Sequence, residues 1–279
     1  MKEIGIIVNR GKDPGLTFTE RLIEWLRSRG RDPELLPGVD EPDARFDRFE
    51  FIICLGGDGT MLKAAGGAAP HGVPLIGINL GNMGYLTDAN RNEAVKALDK
   101  VLRGNYKLEK RMMLNADLSR YGLSAENPAL NEICVSRSVY SKMIQLKLWI
   151  NDEYIGGYRC DGIIVSTPTG STVYNLSAGG PILKPDGNMI AITPICSHAL
   201  YTRPFVISAD DGVQVQIDDA NPGEFGVEAG VHADGKNILN LKPDDKIEIT
   251  RSEYFTTIIK TDDSGFYDIL RQKMILPDQ

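Results

Sequence analysis

Four cysteines, three histidines and two tryptophans are few for a chain of 279 residues. Cys54, Cys134, Cys160 and Cys196 stand far apart with no C-x-x-C pair, which speaks against a zinc site or a disulfide framework. They read as reduced thiols of a cytosolic protein. His71, His198 and His232 are equally scattered, and no spacing joins them into a metal site or a triad. Positive charge is in deficit, with 31 Lys and Arg against 38 Asp and Glu, net −7. A nucleic-acid partner is therefore not expected, although a local basic pocket for phosphates remains open. No apolar run approaches the roughly 20 residues that span a bilayer, and no basic amphipathic stretch points to a membrane surface. The opening "MKEIGIIVNRGKD" returns to charge after a short apolar run and reads as a first strand, not a signal peptide. The expected location is cytoplasmic. There is no internal repeat or low-complexity segment.

What is present falls into two halves, consistent with two domains at roughly 150 residues each. "EIGIIV" (3–8), "FEFIICL" (49–55) and "VPLIGIN" (73–79) are short buried strands. Between and after them come helical spacings: Leu16, Leu22, Ile23 and Leu26, then "MLKAA", then Ala94, Leu98, Val101 and Leu102. This order predicts a parallel sheet covered by helices, a Rossmann-like α/β domain. Beyond about Leu108 the period changes to two. Ile144, Leu146, Leu148 and Ile150 alternate with polar neighbours, as do Val213, Val215 and Ile217, and then Ile247 and Ile249. The second half is thus an antiparallel, sandwich-like β domain. The last segment, "GFYDILRQKMIL", turns helical again with Phe266, Ile269, Leu270 and Met274 on one stripe. A lone terminal helix needs a surface to cover, and the first domain is the expected one. The expected division is 1–106 plus 262–279 for the α/β domain and 107–261 for the β-rich domain.

Three loops carry the candidate chemistry. "LGGDGT" ends a buried strand, where ligands of parallel sheets sit. Gly56, Gly57 and Gly59 let backbone amides approach a ligand, and the helix opening near Thr60 offers a phosphate site. Asp58 is the odd member, because a carboxylate repels phosphate. It makes sense as a handler of a proton or a metal, or as a plain helix cap. "DGIIVSTPTGSTVYNLSAGGPIL" (161–183) runs from a strand through small hydroxyls and glycines into a short helix, suiting close docking of a polar ligand or simply a well-formed turn. "NPALNEICVS" sets Asn131 and Glu132 at a strand start, where alternation lets only one of them face inward. "GVHADGKN" has Walker-like glycine–lysine spacing, but Asn237 stands where Ser or Thr is needed, and the flanks read as β.

These pieces together resemble the NAD kinase family. The resemblance runs over nearly the whole chain and in order: "GGDGT" (56–60), "NE" (131–132), "RCDG" (159–162), "TPTGSTVYNLSAGGPIL" (167–183) and "PICSHALYTRP" (194–204). "GGDGT" alone is shared with diacylglycerol kinases, so a lipid kinase is one alternative; a non-catalytic dinucleotide sensor is another. The long segment after "DG" selects the NAD kinases. The resemblance implies phosphorylation of NAD at the adenosine 2′-hydroxyl by ATP or polyphosphate, with Mg²⁺ accompanying ATP and no dedicated metal cage in the protein. It implies a homodimer or homotetramer.

By position, the resemblance makes Asp58 the general base beside Gly57, Gly59 and Thr60, with Lys63 suited to a phosphate. Asn131, Glu132 and Lys142 match dinucleotide contacts, and Arg159 and Asp161 flank Cys160 as in the family. Thr172, Val173, Tyr174, Asn175, Leu176 and Ser177 match the loop and helix start that hold the nucleoside. Cys196 and Lys236 match two later contacts. Three positions depart from the pattern. Met61 stands for a common Phe, Ser197 for Pro, and Lys236 for Gln.

Overall fold

The first strand, β1 (Glu3–Val8), leads into α1 (Thr17–Arg27) and a short β2 (Pro33–Leu35). Then come β3 (Phe49–Gly56), α2 (Asp58–Ala68), β4 (Leu75–Asn79), a two-residue β5 (Ala89–Asn90) and α3 (Ala94–Leu102). All pairings are parallel, in the order β2-β1-β3-β4 with β5 beside β4. The strands are continuous apolar runs because helices cover both faces. Ile4, Ile6, Phe51, Ile53, Ile76 and Ile78 share one core with Leu22 and Leu26 of α1 and with Ala94, Leu98 and Val101 of α3. The start of α1 is held by Asp13, 2% exposed, which accepts from the amides of Phe18 (3.1 Å) and Thr19 (2.9 Å).

The computed structural model describes residues 3–36, 46–81, 84–123, 128–138, 143–199, 201–218, 229–261 and 265–274. The chain divides into two units. One runs to Arg111 and resumes at Phe255; the other is Met112–Tyr254. After β6 (Lys107–Asp117), the second unit contains β7 (Glu132–Arg137), β8 (Ile144–Ile150), β9 (Glu153–Cys160), β10 (Gly162–Ser166) and a one-turn helix α4 (Tyr174–Ser177). It continues with β11 (Met189–Ile195), β12 (Phe205–Ser208), β13 (Val213–Ile217), β14 (Ala229–Ala233) and β15 (Lys236–Leu241). One antiparallel sheet has the order β12-β11-β10-β7-β14-β15. In the other, β13 pairs antiparallel with β8, and β8 with β9. The inward residues of both sheets form one core, with Ile133, Val135, Ile163 and Val165 from the first and Leu146, Leu148, Val213 and Val215 from the second. The fold is an α/β unit plus an antiparallel β-sandwich unit. Among the described residues no helix is long and apolar enough to cross a membrane.

The chain's last strand, β16 (Lys246–Lys260), is far longer than the alternation in "DKIEITRS" indicates. Its beginning pairs antiparallel with β13, and Ile258 pairs with Leu75 of β4 in parallel. The terminal helix α5 (Phe266–Met274) follows, within the first unit. Its Phe266 ring lies 6.4 Å from that of Tyr85, and Lys273 sits over the Tyr85 ring at 4.7 Å. The inward stripe is narrower than its sequence suggests. Ile269 is buried and Phe266 and Leu270 are half-buried, but Met274, the last residue of the helix, is 52% exposed. Ile269→Ala is expected to cost about 2 kcal/mol, at the low end for a buried aliphatic truncation. Urea unfolding reads this directly, and an unchanged midpoint would show that α5 adds no packing energy.

Candidate functional site

In the first unit the fold brings two loops together at the carboxyl ends of adjacent strands. The loop after β1 and the loop after β3 flank the point where strand order reverses, the usual place for a ligand in a parallel sheet. A cavity of about 540 Å³ lies there, lined by Asn9, Arg10 and Lys12 from the first loop and by Gly57–Thr60 and Lys63 from the second. Gly56 and Gly57 are needed for close approach. A Cβ on Gly56 would sit 2.0 Å from Thr60 Oγ1, and one on Gly57 would sit 3.0 Å from Lys12 Nζ.

Asp58 is the first residue of α2, two positions earlier than the helix start read from the sequence, with Gly57 as its N-cap. Asp58 does not cap its own helix. Its carboxylate reaches across to the loop after β4, where Oδ2 accepts from Tyr85 N (2.8 Å) and Oδ1 from Leu86 N (3.0 Å). Gly84 makes room: a Cβ there would lie 1.8 Å from Oδ1. Two amides hold the Asp58 anion on the wall of this cavity, and three cations, Arg10, Lys12 and Lys63, line the same cavity. Arg10 and Lys12 were not singled out from the sequence. The strand-order reversal would have pointed to them, because it makes the loop after β1 a wall of the same cavity. Met61 is buried, and a Cβ on Gly77 would lie 2.9 Å from its sulfur, so this departure from the family pattern is a packing change in the core.

In the second unit three motifs converge. Asp234, at a left-handed backbone position (φ 49°), accepts from three successive amides: Leu130 N (2.8 Å), Asn131 N (2.7 Å) and Glu132 N (3.2 Å). The "TPTG" turn is stitched to the same segment. Thr167 Oγ1 donates to Leu130 O (2.7 Å), and Thr167 N to Asn131 O (2.9 Å). A Cβ on Gly170 would strike Asn131 O at 2.1 Å. The alternation argument for Asn131 and Glu132 fails here. Asn131 precedes β7, and both side chains are 6% exposed. Asn131 Oδ1 and Glu132 Oε2 are buried and accept no hydrogen bond among the described residues. Such atoms are costly unless something bonds them, and a ligand's hydroxyls or amide would do so. Burial, and then the Asp234 charge, push the Glu132 carboxyl up to about 7.

The remaining predicted positions divide. Asp161 Oδ1 pairs with Arg137 Nε at 2.6 Å, and the Asp161 amide donates to Ile195 O. His198 N donates to Arg159 O (3.0 Å), which brings the Cys196 turn (φ 47°) beside Arg159; both Arg159 and Cys196 are exposed. Val173, Tyr174 and Ser177 are exposed, and Thr172 and Leu176 partly so. Burial, and then the Cys134 thiol, raise the Tyr174 phenol above its usual range, with smaller contributions from Cys196, Asp161 and Glu132. Asn175 points inward. Its side chain is fully buried, Oδ1 accepting from Thr193 Oγ1 (2.6 Å) and Nδ2 donating to Ser171 O and Pro181 O. Its side-chain amide ties the turn together. Lys236 is exposed at the start of β15, and Lys142 lies outside the described residues.

Two family models match the chain: the ATP-NAD kinase N-terminal domain over residues 40–106 and the ATP-NAD kinase C-terminal domain over residues 130–261. A protein named NAD kinase from Caldanaerobacter subterraneus subsp. tengcongensis is 39% identical, covering 98% of this chain and 99% of its own. Another from Moorella thermoacetica is 41% identical, covering 98% and 89%. Among solved structures, an NAD kinase from Archaeoglobus fulgidus in complex with ATP superposes with a TM-score of 0.80 at 27% identity, covering 98% of this chain and all of that one. Yeast NADH kinase complexed with NADH shares the fold, with a TM-score of 0.84 at 21% identity, over 98% of this chain and 87% of that one.

The raised Glu132 group has a stability signature. Between the ordinary value of 4.5 and about 7 the folded protein keeps a proton that the unfolded chain has released. Stability is therefore lost as pH rises through that window. In ligand-free protein, Glu132→Gln removes the penalty. The variant is expected to exceed the parent by about 3 kcal/mol at pH 8 and to lose that advantage near pH 4.5. Urea unfolding at both pH values checks this, and a constant difference across pH would show that Glu132 titrates like a surface carboxylate.

Proposed function

The chain belongs to the ATP-NAD kinase family, and from that premise we propose that it transfers the terminal phosphoryl group of ATP to the 2′-hydroxyl of the adenosine ribose of NAD, giving NADP. The observation that supports this most is the single carboxylate, held by two amides, that lines a cavity with three cations. In the transfer, the ribose oxygen forms a bond to the γ-phosphorus, the bond from that phosphorus to the bridging oxygen breaks, and ADP leaves. The hydroxyl proton passes to Asp58. Each carboxylate oxygen has two acceptor positions. The amides of Tyr85 and Leu86 occupy one on each oxygen, so a substrate hydroxyl can still donate to either.

Lys12, Arg10 and Lys63 offset the charge of the donor phosphates, which is most of what a protein does in such a reaction. Because these cations read phosphate and not the nucleobase, polyphosphate presents the same chemistry to them. The second unit supplies dinucleotide recognition, through the unpartnered acceptors of Asn131 and Glu132. Among the described residues no group of three or more His, Cys, Asp or Glu side chains is suited to a metal. A divalent ion such as Mg²⁺ would accompany the donor phosphates.

Asp58→Asn is expected to lower kcat by roughly 10²- to 10⁴-fold while the NAD dissociation constant stays within about threefold. It is not a silent replacement structurally, because the asparagine NH₂ would face one of two backbone donors, at a cost of about 1–3 kcal/mol. Turnover near the parent rate would remove Asp58 as the base. Lys12→Ala and Lys63→Ala are expected to raise KM for ATP about tenfold, the size of one charge-assisted hydrogen bond, and to move KM for NAD less than twofold. Steady-state kinetics with each substrate varied separates these, and an unchanged KM for ATP would place either lysine outside the donor site.

A further inference from the structure

The loop that receives Asp58 has its own support, and one buried side chain organises it. Thr87 is 1% exposed. Its Oγ1 accepts from Gly84 N at 3.1 Å and from Asn79 Nδ2 at 3.4 Å. The first of these bonds closes a tight turn, so that the intervening amides of Tyr85 and Leu86 project toward Asp58. The Thr87 carbonyl accepts from Lys260 Nζ at 3.1 Å, which ties the loop to the end of β16. Its backbone is pressed against Gly77, where a Cβ would lie 2.9 Å from Thr87 Cα. The next residue, Asp88, is fastened by its amide to Gly77 O (2.8 Å) and by its carboxylate to Thr261 Oγ1 (2.6 Å). Neither Thr87 nor Lys260 lines the cavity.

We propose that Thr87 is a positioning residue for the phosphoryl transfer: its hydroxyl fixes the 84–87 turn whose two amides aim the Asp58 carboxylate. The inference rests on the reading of Asp58 as proton acceptor. The geometry leaves little tolerance, because Gly84 already meets Asp58 Oδ1 with no room for a methyl group. A displacement of about 1 Å at a reacting group can cost on the order of 10²-fold in rate. A loosened turn therefore lowers turnover through Asp58 without touching either substrate.

The test is a comparison of Thr87→Val, Thr87→Ser and Asp58→Asn, singly and combined. Thr87→Val keeps the shape and removes the acceptor. It is expected to lower kcat about tenfold or more, with both KM values within about threefold, and to speed hydrogen exchange in the peptide spanning residues 84–88. Thr87→Ser keeps the oxygen and is expected to restore kcat to within about twofold of the parent, with parental exchange. In the Asp58→Asn background, Thr87→Val should lower the residual rate no further, because both changes act through one group. A Thr87→Ser protein as slow as Thr87→Val, or a Thr87→Val effect that persists undiminished beside Asp58→Asn, would overturn the positioning role while leaving Asp58 as the base. A fast Asp58→Asn single variant would instead overturn the base, and the positioning role with it. Should Thr87→Val fail to fold, Lys260→Met frees the same carbonyl from outside the turn. It is expected to lower kcat several-fold with faster exchange in 84–88, and parental kcat in that variant would count against the proposal.

Discussion

A carboxylate sits where the chain otherwise collects phosphate-binding groups, and the first unit is arranged around holding it there. On the proposed reading Asp58 and the donor phosphates are like charges, so the loop after β3 would have to make two incompatible anions neighbours. The structure manages this with direction. Tyr85 N and Leu86 N bond the carboxylate, while Arg10, Lys12 and Lys63 line the cavity that Asp58 also lines. Hydrogen bonds to a charged group contribute about 1.5–3 kcal/mol each, enough to fix the carboxylate's direction when phosphate arrives. The glycines follow from the same constraint. Gly84 leaves space for the carboxylate, Gly56 for Thr60, and Gly57 for the Lys12 ammonium.

The second unit uses the same device for a different end. Asp234 is also an acid fixed by backbone amides, three instead of two. It faces the inside of a turn, and what it fixes is the segment carrying Asn131 and Glu132. Burial there raises both Asp234 and Glu132 above the ordinary carboxyl range. Asn131 Oδ1 and Glu132 Oε2 remain unpartnered in that same segment, and on the proposed reading the dinucleotide supplies their partners.

Much of this was legible in the sequence. The buried strands 3–8 and 49–55 and the alternating strands of the second half sit where their periods put them, because a strand's burial pattern is written directly in its residues. The glycine loop and its odd acid also stood out from composition alone. What escaped depended on contacts across long separations. The bonds from Tyr85 and Leu86 to Asp58 link positions more than 25 residues apart, and those from Asp234 to the Asn131 segment more than 100. Arg10 and Lys12 look like an ordinary charged loop until strand order places it beside "GGDGT". Asn175 sits in a ligand-binding motif, yet its side chain is spent on the turn. The pattern could not say so, since a side chain that shapes a loop and one that touches a ligand occupy the same stretch. Burial of both Asn131 and Glu132 broke the alternation rule because only Glu132 is in the strand.

The central claim is that Asp58 accepts the proton of the adenosine 2′-hydroxyl. A crystal structure of the Asp58→Asn protein with NAD bound tests it most directly, since the slowed variant holds the intact acceptor. The account predicts the adenosine 2′-oxygen within about 2.6–3.2 Å of the residue 58 side chain, with the turn at 84–87 unchanged. A different hydroxyl at that distance, or a dinucleotide whose adenosine ribose lies away from residue 58, would contradict it.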